Sequence, residues 1–203
     1  HLGKKNPLNN NASRRLLNTI MIAFGQKKMF KKFVPAFLHS FIYIGFLVIN
    51  LEVLEFVIDG LVGTHRIFAP FLGGFYNVLM NIFEFLAVAV LFACIVMILR
   101  RNVLKIKRFH SAEMTRWPKL DANIILITEI VLMCAILIMN GADQVLQISN
   151  PDYTSTGPLF FSGQLISSLQ SFNPGSLIII ERAAWWFHIV GILGFAVYIT
   201  YSK

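Results

Sequence analysis

The sequence predicts an all-α transmembrane helical bundle with four visible spans, and three observations carry that prediction. Only 14% of the 203 residues are charged while 56% are hydrophobic. An average soluble domain carries about 25% charged residues, so lipid is the expected main solvent. Four apolar runs each reach the roughly 20 residues that crossing a bilayer requires. Finally, the basic residues gather in two blocks beside these runs, as the cytoplasmic loops of membrane proteins do.

The first run extends from Phe33 to about Ile58, the second from about Phe71 to Leu99, the third from Ala122 to about Asn140, and the fourth from near Ala183 to Tyr201. All are too long and too apolar for ordinary core strands. Between them, residues 1–32 carry Lys4, Lys5, Arg14, Arg15, Lys27, Lys28, Lys31 and Lys32, and residues 100–119 carry Arg100, Arg101, Lys105, Lys107, Arg108, Arg116 and Lys119. The other two connections hold one arginine each, Arg66 and Arg182, and Lys203 returns at the end. The positive-inside rule places both basic blocks in the cytoplasm. The visible chain then starts and ends inside, as an even number of spans requires.

This divides the chain into a basic, amphipathic segment (1–32) and a four-helix transmembrane domain (33–203) with a long outer loop (142–182). Within the first part, residues 11–30 suit a membrane surface or a soluble partner equally. The outer loop is rich in Ser, Gly, Asn and Pro but contains the apolar patches PLFF and SLIII, and it is expected to fold back as a cap over the outer end of the bundle. The chain begins at His1 rather than Met, so a longer product is expected, and residues 1–19 lack the apolar stretch of a secretory signal. There is no internal repeat.

A net charge of +8 would suit nucleic acid, but the charges sit beside membrane helices, so no nucleic-acid partner is expected. Cys94 and Cys134 fall in the middle of apolar runs with no CxxC pair. The visible chain therefore offers neither a four-cysteine cluster nor a zinc site.

Polar residues inside spans are functional candidates. His39 lies on the first span and His188 on the fourth. An imidazole held in lipid needs a partner, and haem iron is one; a hydrogen bond to a neighbouring helix is the alternative. With boundaries at Lys32 and Arg182, the two histidines enter from opposite faces, and their depths differ by roughly 11 Å at 1.5 Å per residue in a 30 Å core. Separate sites are therefore expected, with His65 in GTHRIFAP able to meet His188 near the outer face. His110 belongs to the solvated basic loop. Glu52 and Glu55 are three apart and share a helix face. Together with Glu84 and Glu129 they are costly in lipid unless paired, protonated or wetted. Their candidate partners are Asn81, Asn140, Arg66 and Arg182; passing protons to a quinone is the functional alternative. Trp185 and Trp186 suit an aromatic belt or a wall against a flat cofactor ring. Gly191 and Gly194 leave room for a close neighbour.

The runs LGKKNPLNNNASRRLLNTIMIAFGQKKMFKKFVPAFLHSFIYIGF, VLEFVIDGLVGTHRIFAPFLGGFYN, KRFHSAEMTRWPKLDANIILITEIVLM and AAWWFHIVGILGF resemble the membrane domain of heterodisulfide-reductase-type iron–sulfur oxidoreductases. That domain is similar to the gamma subunit of respiratory nitrate reductase. The resemblance covers essentially the whole chain. It implies a five-helix bundle in the bacterial cytoplasmic membrane, its first helix upstream of His1, binding haem b and exchanging electrons with the quinone pool. It also implies 4Fe-4S clusters in a region beyond Lys203, and electron-transfer flavoprotein as a partner of some members. The nitrate reductase pattern places two histidines on each of two helices. Here only His39 and His188 match, and the position near Ile49 is apolar. The resemblance thus implies His39 and His188 as haem-iron ligands, with His65 as a substitute; Glu52, Glu55 and Arg66, read from the residues themselves, are the candidate quinone or proton groups. The rival readings are a haem-free membrane anchor or assembly subunit and a small transporter.

Overall fold

A computed structural model describes residues 11–25, 30, 33–104, 106 and 116–201. Lys4, Lys5, Lys27, Lys28, Lys31, Lys32, Lys105, Lys107, Arg108 and Lys203, as well as His1 and His110, lie outside the described residues. The chain forms two compact units, His1–His39 and Ser40–Lys203. In the first, helix α1 (Ala12–Thr19) continues into a π-helical turn (Ile20–Phe24), and Leu16, Leu17, Ile20 and Met21 are exposed. The start of α2 (Phe33–Val62) also belongs to this unit, with Phe33 and Phe37 stacked one turn apart at 5.9 Å.

The second unit holds the remainder of α2, the short α3 (Ala69–Leu72), α4 (Gly74–Asn102), α5 (Trp117–Ser149), a 3-10 turn (Ser162–Leu165), α6 (Ile166–Leu169) and α7 (Pro174–Tyr201). Among the described residues there is no strand. Among the described residues, helices α2, α4, α5 and α7 are the four long and apolar enough to cross a membrane. Large apolar side chains such as Phe46, Leu51, Phe92, Ile127, Val190 and Leu193 point outward. A soluble bundle would bury those faces; lipid accommodates them.

The helices run further than hydropathy alone suggests. The apolar series Ala142, Val145, Leu146 keeps i, i+3, i+4 spacing past Asn140, so α5 continues to Ser149. Pro174 takes a first-turn position and starts α7 well before Ala183, where proline has no helical N–H to lose. The connection between the third and fourth spans thus shrinks from 142–182 to 150–173.

Helix α5 is central, packing along both α4 and α7. Its Leu132, Met133, Ile136 and Met139 meet Ile49 and Phe56 of α2 and Leu86, Ala87 and Val90 of α4 in the main core. Two glycines permit the closest approaches. A Cβ on Gly191 would stand 2.6 Å from Leu132 Cδ2, and one on Gly45 would stand 2.5 Å from Val90 Cγ2. Gly191→Val is expected to overpack the α5–α7 seam and cost about 1–3 kcal/mol, read as a lower thermal midpoint in detergent. Gly194, which has open space around it, should tolerate alanine.

Residues 150–173 turn back against the bundle. Non-helical backbone at membrane depth must find its hydrogen bonds within the protein, and here polar side chains of α4 and α5 supply them. Asn77 donates to the carbonyls of Thr156 and Pro158, both at 2.9 Å. Asn81 accepts from Phe160 N–H at 2.9 Å, and Gln144 accepts from Leu159 N–H at 3.3 Å while donating to Gly157 O at 3.0 Å. Glu84, only 1% exposed, accepts from Phe161 N–H at 3.0 Å, from Ser162 N–H at 3.2 Å and from the Ser162 hydroxyl.

Candidate functional site

Two neighbouring regions of the second unit concentrate chemistry. The first is built around His188, near the middle of the 28-residue α7 rather than two turns from its end. The side chain is 0% exposed. Its Nδ1 lies 3.0 Å from Leu132 O. A carbonyl can only accept, so Nδ1 carries the proton and Nε2 is left with a lone pair. That Nε2 is buried and, among the described residues, has no partner. His188 lines a cavity of about 390 Å³ with Gly45, Ile49, Val90, Met133 and Ile192, mostly apolar. Asn50 and Glu129 are its other polar lining groups. A neutral imidazole, oriented through one nitrogen by a backbone carbonyl and open at the other, is how proteins present histidine to a metal. The volume falls within the roughly 300–1,000 Å³ of ligand sites. Among the described residues, no group of three or more His, Cys, Asp or Glu side chains could hold an ion unaided.

The second region lies where α2 ends. Gly63 adopts φ 76° and closes the helix through Gly63 N–H to Asp59 O at 2.8 Å, a left-handed cap that favours glycine. The Asp59 carboxylate then organises the turn. It accepts Thr64 O–H at 2.6 Å, Arg66 N–H at 2.9 Å and Ile67 N–H at 3.1 Å. These bonds hold Arg66 at φ 55°, a costly conformation for a residue with a Cβ, and direct its side chain inward.

Arg66 is 4% exposed. It donates from Nη2 to Asn140 Oδ1 at 2.8 Å and Asp143 Oδ2 at 3.0 Å, from Nε to Asp143 Oδ2 at 3.2 Å, and from Nη1 to Glu52 Oε1 at 3.4 Å. Its guanidinium also lies 5.7 Å from the Phe56 ring centre. Burial opposes the Arg66 charge, but Asp143 and then Tyr76, Glu52 and Glu55 raise its pKa well above the ordinary value, so it stays a cation. Glu55 accepts Tyr76 O–H at 2.6 Å and Phe68 N–H at 3.0 Å. Glu52 Oε2 is buried and, among the described residues, has no partner. One guanidinium thus bonds two carboxylates, Asp143 and Glu52, and lies within electrostatic reach of a third, Glu55.

His65 sits beside this cluster with both ring nitrogens engaged. Nε2 lies 3.0 Å from Asp143 Oδ1, and Nδ1 accepts Thr154 N–H at 3.1 Å. The Tyr153 ring packs on it at 4.6 Å. Tyr153 is pushed up to about 12, first by burial and then by the Glu181 carboxylate, so at neutral pH it is a hydrogen-bond donor. A cavity of about 640 Å³ opens here, lined by Phe56, Asp59, His65, Arg66, Tyr153, Glu181, Arg182, Trp185 and Trp186. His65 and His188 line different cavities. Phe56 relates the two regions, edge-on to His188 at 6.5 Å and beneath Arg66.

No family model matches the chain, and no solved structure does. The sequence is similar to the probable iron-sulfur-binding oxidoreductase FadF of Bacillus subtilis (strain 168), with 25% identity over 205 residues. The likeness covers 100% of this chain and 27% of that protein. The chain therefore spans about a quarter of the length of the relative it matches.

Of the residues singled out from sequence, Glu52, Arg66 and Asn140 come together as expected. Glu55 turns to Tyr76 instead, and Asn81 turns to the connection. His39 is exposed on α2. Asp143, Asp59 and Tyr76 were not legible as site residues. The usable signal for Asp143 was its i, i+3 spacing from Asn140 on an apolar series that continues past both.

Proposed function

We propose that the chain is the membrane-spanning electron-transfer part of a quinone-linked iron–sulfur oxidoreductase, with haem b in the cavity beside His188. The buried, unpartnered Nε2 of His188 on an apolar cavity wall carries this reading, and the likeness to an iron–sulfur-binding oxidoreductase supports it. Haem b, when bound, carries one electron at a time. His188 would hold the iron through Nε2, Leu132 O would keep its ring oriented, and Ile49, Val90, Met133 and Ile192 would exclude water. His39 is proposed as the ligand of a separate haem. His65 would reach iron only by giving up its bond to Asp143 or to Thr154.

The larger cavity beside Arg66 suits a quinone headgroup, with Trp185, Trp186 and Phe56 as aromatic walls. Glu52 and Glu55 then stand behind Arg66 as proton-holding groups. Iron–sulfur clusters of 4Fe-4S type would lie outside this chain, and electron-transfer flavoprotein is a candidate donor. We place the protein in the bacterial cytoplasmic membrane with its basic segments on the cytoplasmic side.

A haem-free anchor is the second reading. The bond from His188 Nδ1–H to Leu132 O would then serve only to join α5 to α7, and the single imidazole in the cavity lining favours it. A reduced-minus-oxidised visible spectrum of the purified full-length protein separates the two. A b-type α band, diminished in His188→Ala, is expected. Absence of any haem signal in the wild type would sink the haem reading and leave the anchor.

A further inference from the structure

One group in the His188 cavity has no role in the mechanism above. Glu129 lies on α5, about 18 Å along the helix from Trp117 at 1.5 Å per residue, in the membrane-crossing part. It is half-buried and lines the cavity. Among the described residues it makes neither a hydrogen bond nor an ion pair. An ionisable side chain at such depth is costly to keep without a partner, and this one faces the same space as the unpartnered Nε2 of His188.

We propose that Glu129 is the proton-accepting partner of the redox group held in this cavity. It takes up one proton when that group gains one electron. The inference rests on the haem reading above. The electron comes from the iron–sulfur partner, or from dithionite in vitro; the proton comes from water and forms the O–H bond of the Glu129 carboxyl. Electron and proton arrive together, so the net charge of the cavity does not change. Charge neutrality is the physical drive, because an added electron in a site with apolar walls is stabilised strongly by a compensating proton.

The groups around Glu129 leave it as the carboxylate suited to this exchange. From α2 the cavity lining contributes Asn50, which does not titrate, and its Nδ2 is engaged with Phe46 O. From α7 it contributes His188, and from α5 no other ionisable group. Cys94 of α4 is within electrostatic reach of Glu129. The three carboxylates around Arg66 belong to the neighbouring region and do not line this cavity.

The test is a spectroelectrochemical titration of the purified full-length protein in nanodiscs across a range of pH. In the wild type, the haem midpoint potential should fall tenfold in equilibrium constant per pH unit, about 59 mV for one electron, over a window of pH. Glu129→Gln should bind haem as the wild type does and show a flat potential in that window. Cys94→Ser should keep the wild-type slope. A flat profile in the wild type, or a slope that persists in Glu129→Gln, overturns the proposal while leaving the haem assignment standing. Should Glu129→Gln fail to fold, redox-difference infrared spectra of the wild type decide: no change in carboxyl C=O absorption on reduction overturns the proposal. A wild type without haem removes the reading on which the proposal rests and the proposal with it.

Discussion

Arg66→Met is expected to destabilise the folded protein by about 3–5 kcal/mol, the usual cost of removing one partner from a buried ion pair. The size follows from what is left behind. Asp143 loses two donor contacts, from Arg66 Nη2 and Nε, together with the charge behind them, and among the described residues keeps His65 at 3.0 Å. Glu52 loses the cation it pairs with among the described residues, and Asn140 Oδ1 its donor at 2.8 Å. Methionine matches much of the volume, so the loss reads charge rather than packing. Arg66→Lys should recover only part of it, because an ammonium cannot reach Asp143, Asn140 and Glu52 in the fork geometry of a guanidinium. The double variant Arg66→Met with Asp143→Leu should be more stable than Arg66→Met alone, since it removes the orphaned carboxylate as well. Thermal unfolding of the full-length protein in detergent measures all three. An Arg66→Met protein within about 1 kcal/mol of wild type would show that water reaches the cluster and solvates it.

Glu84→Ala is expected to release the inward turn at residues 156–162. The carboxylate accepts three donors there, and each buried donor left unmade costs about 1–3 kcal/mol. The total is on the order of 2–5 kcal/mol, moderated if the turn lifts into water and its amides hydrate. Hydrogen exchange on the protein in nanodiscs distinguishes this local release from global unfolding. Amides of Phe160, Phe161 and Ser162 should exchange far faster in Glu84→Ala while the middles of α4 and α5 stay protected. Glu84→Gln keeps one acceptor oxygen and should fall between the two. Unchanged protection at Phe161 and Ser162 would mean that Asn81 and Gln144 hold the turn without Glu84.

Much of the architecture was readable because lipid imposes a simple rule on composition. A helix facing hydrocarbon must be apolar on that face over its full crossing, so four long runs gave four helices. Their ends were less legible. Asn140 and Arg182 look like boundaries to a hydropathy scale, yet both lie inside helices; Asn140 is buried there against Arg66. That error moved His188 from mid-helix to an apparent edge. Pairwise chemistry was partly visible. The i, i+3 spacing of Glu52 and Glu55 marked a face in need of partners and left Asn81, Asn140, Arg66 and Arg182 as candidates. Glu84 was recognisable as expensive, but its partners are backbone N–H groups some 77 residues away, and no residue type marks such a partner. The free Nε2 of His188 depends on one carbonyl, Leu132 O, and only coordinates reveal it.

The side chains that hold residues 156–162 also constrain the order in which the protein can be made. Asn77, Asn81 and Glu84 on α4 and Gln144 on α5 leave the ribosome before the segment that satisfies them. During synthesis these helices enter the membrane carrying open polar groups, which in hydrocarbon are costly. The early bundle must therefore keep that end near the water interface, or with the insertion machinery, until the later chain arrives. Docking of the turn completes the transaction for α4 and α5 together and settles them at their final depth. A substitution at Glu84 that fails to capture the turn would thus be felt first as poor accumulation in the membrane, before any assay of activity could register it.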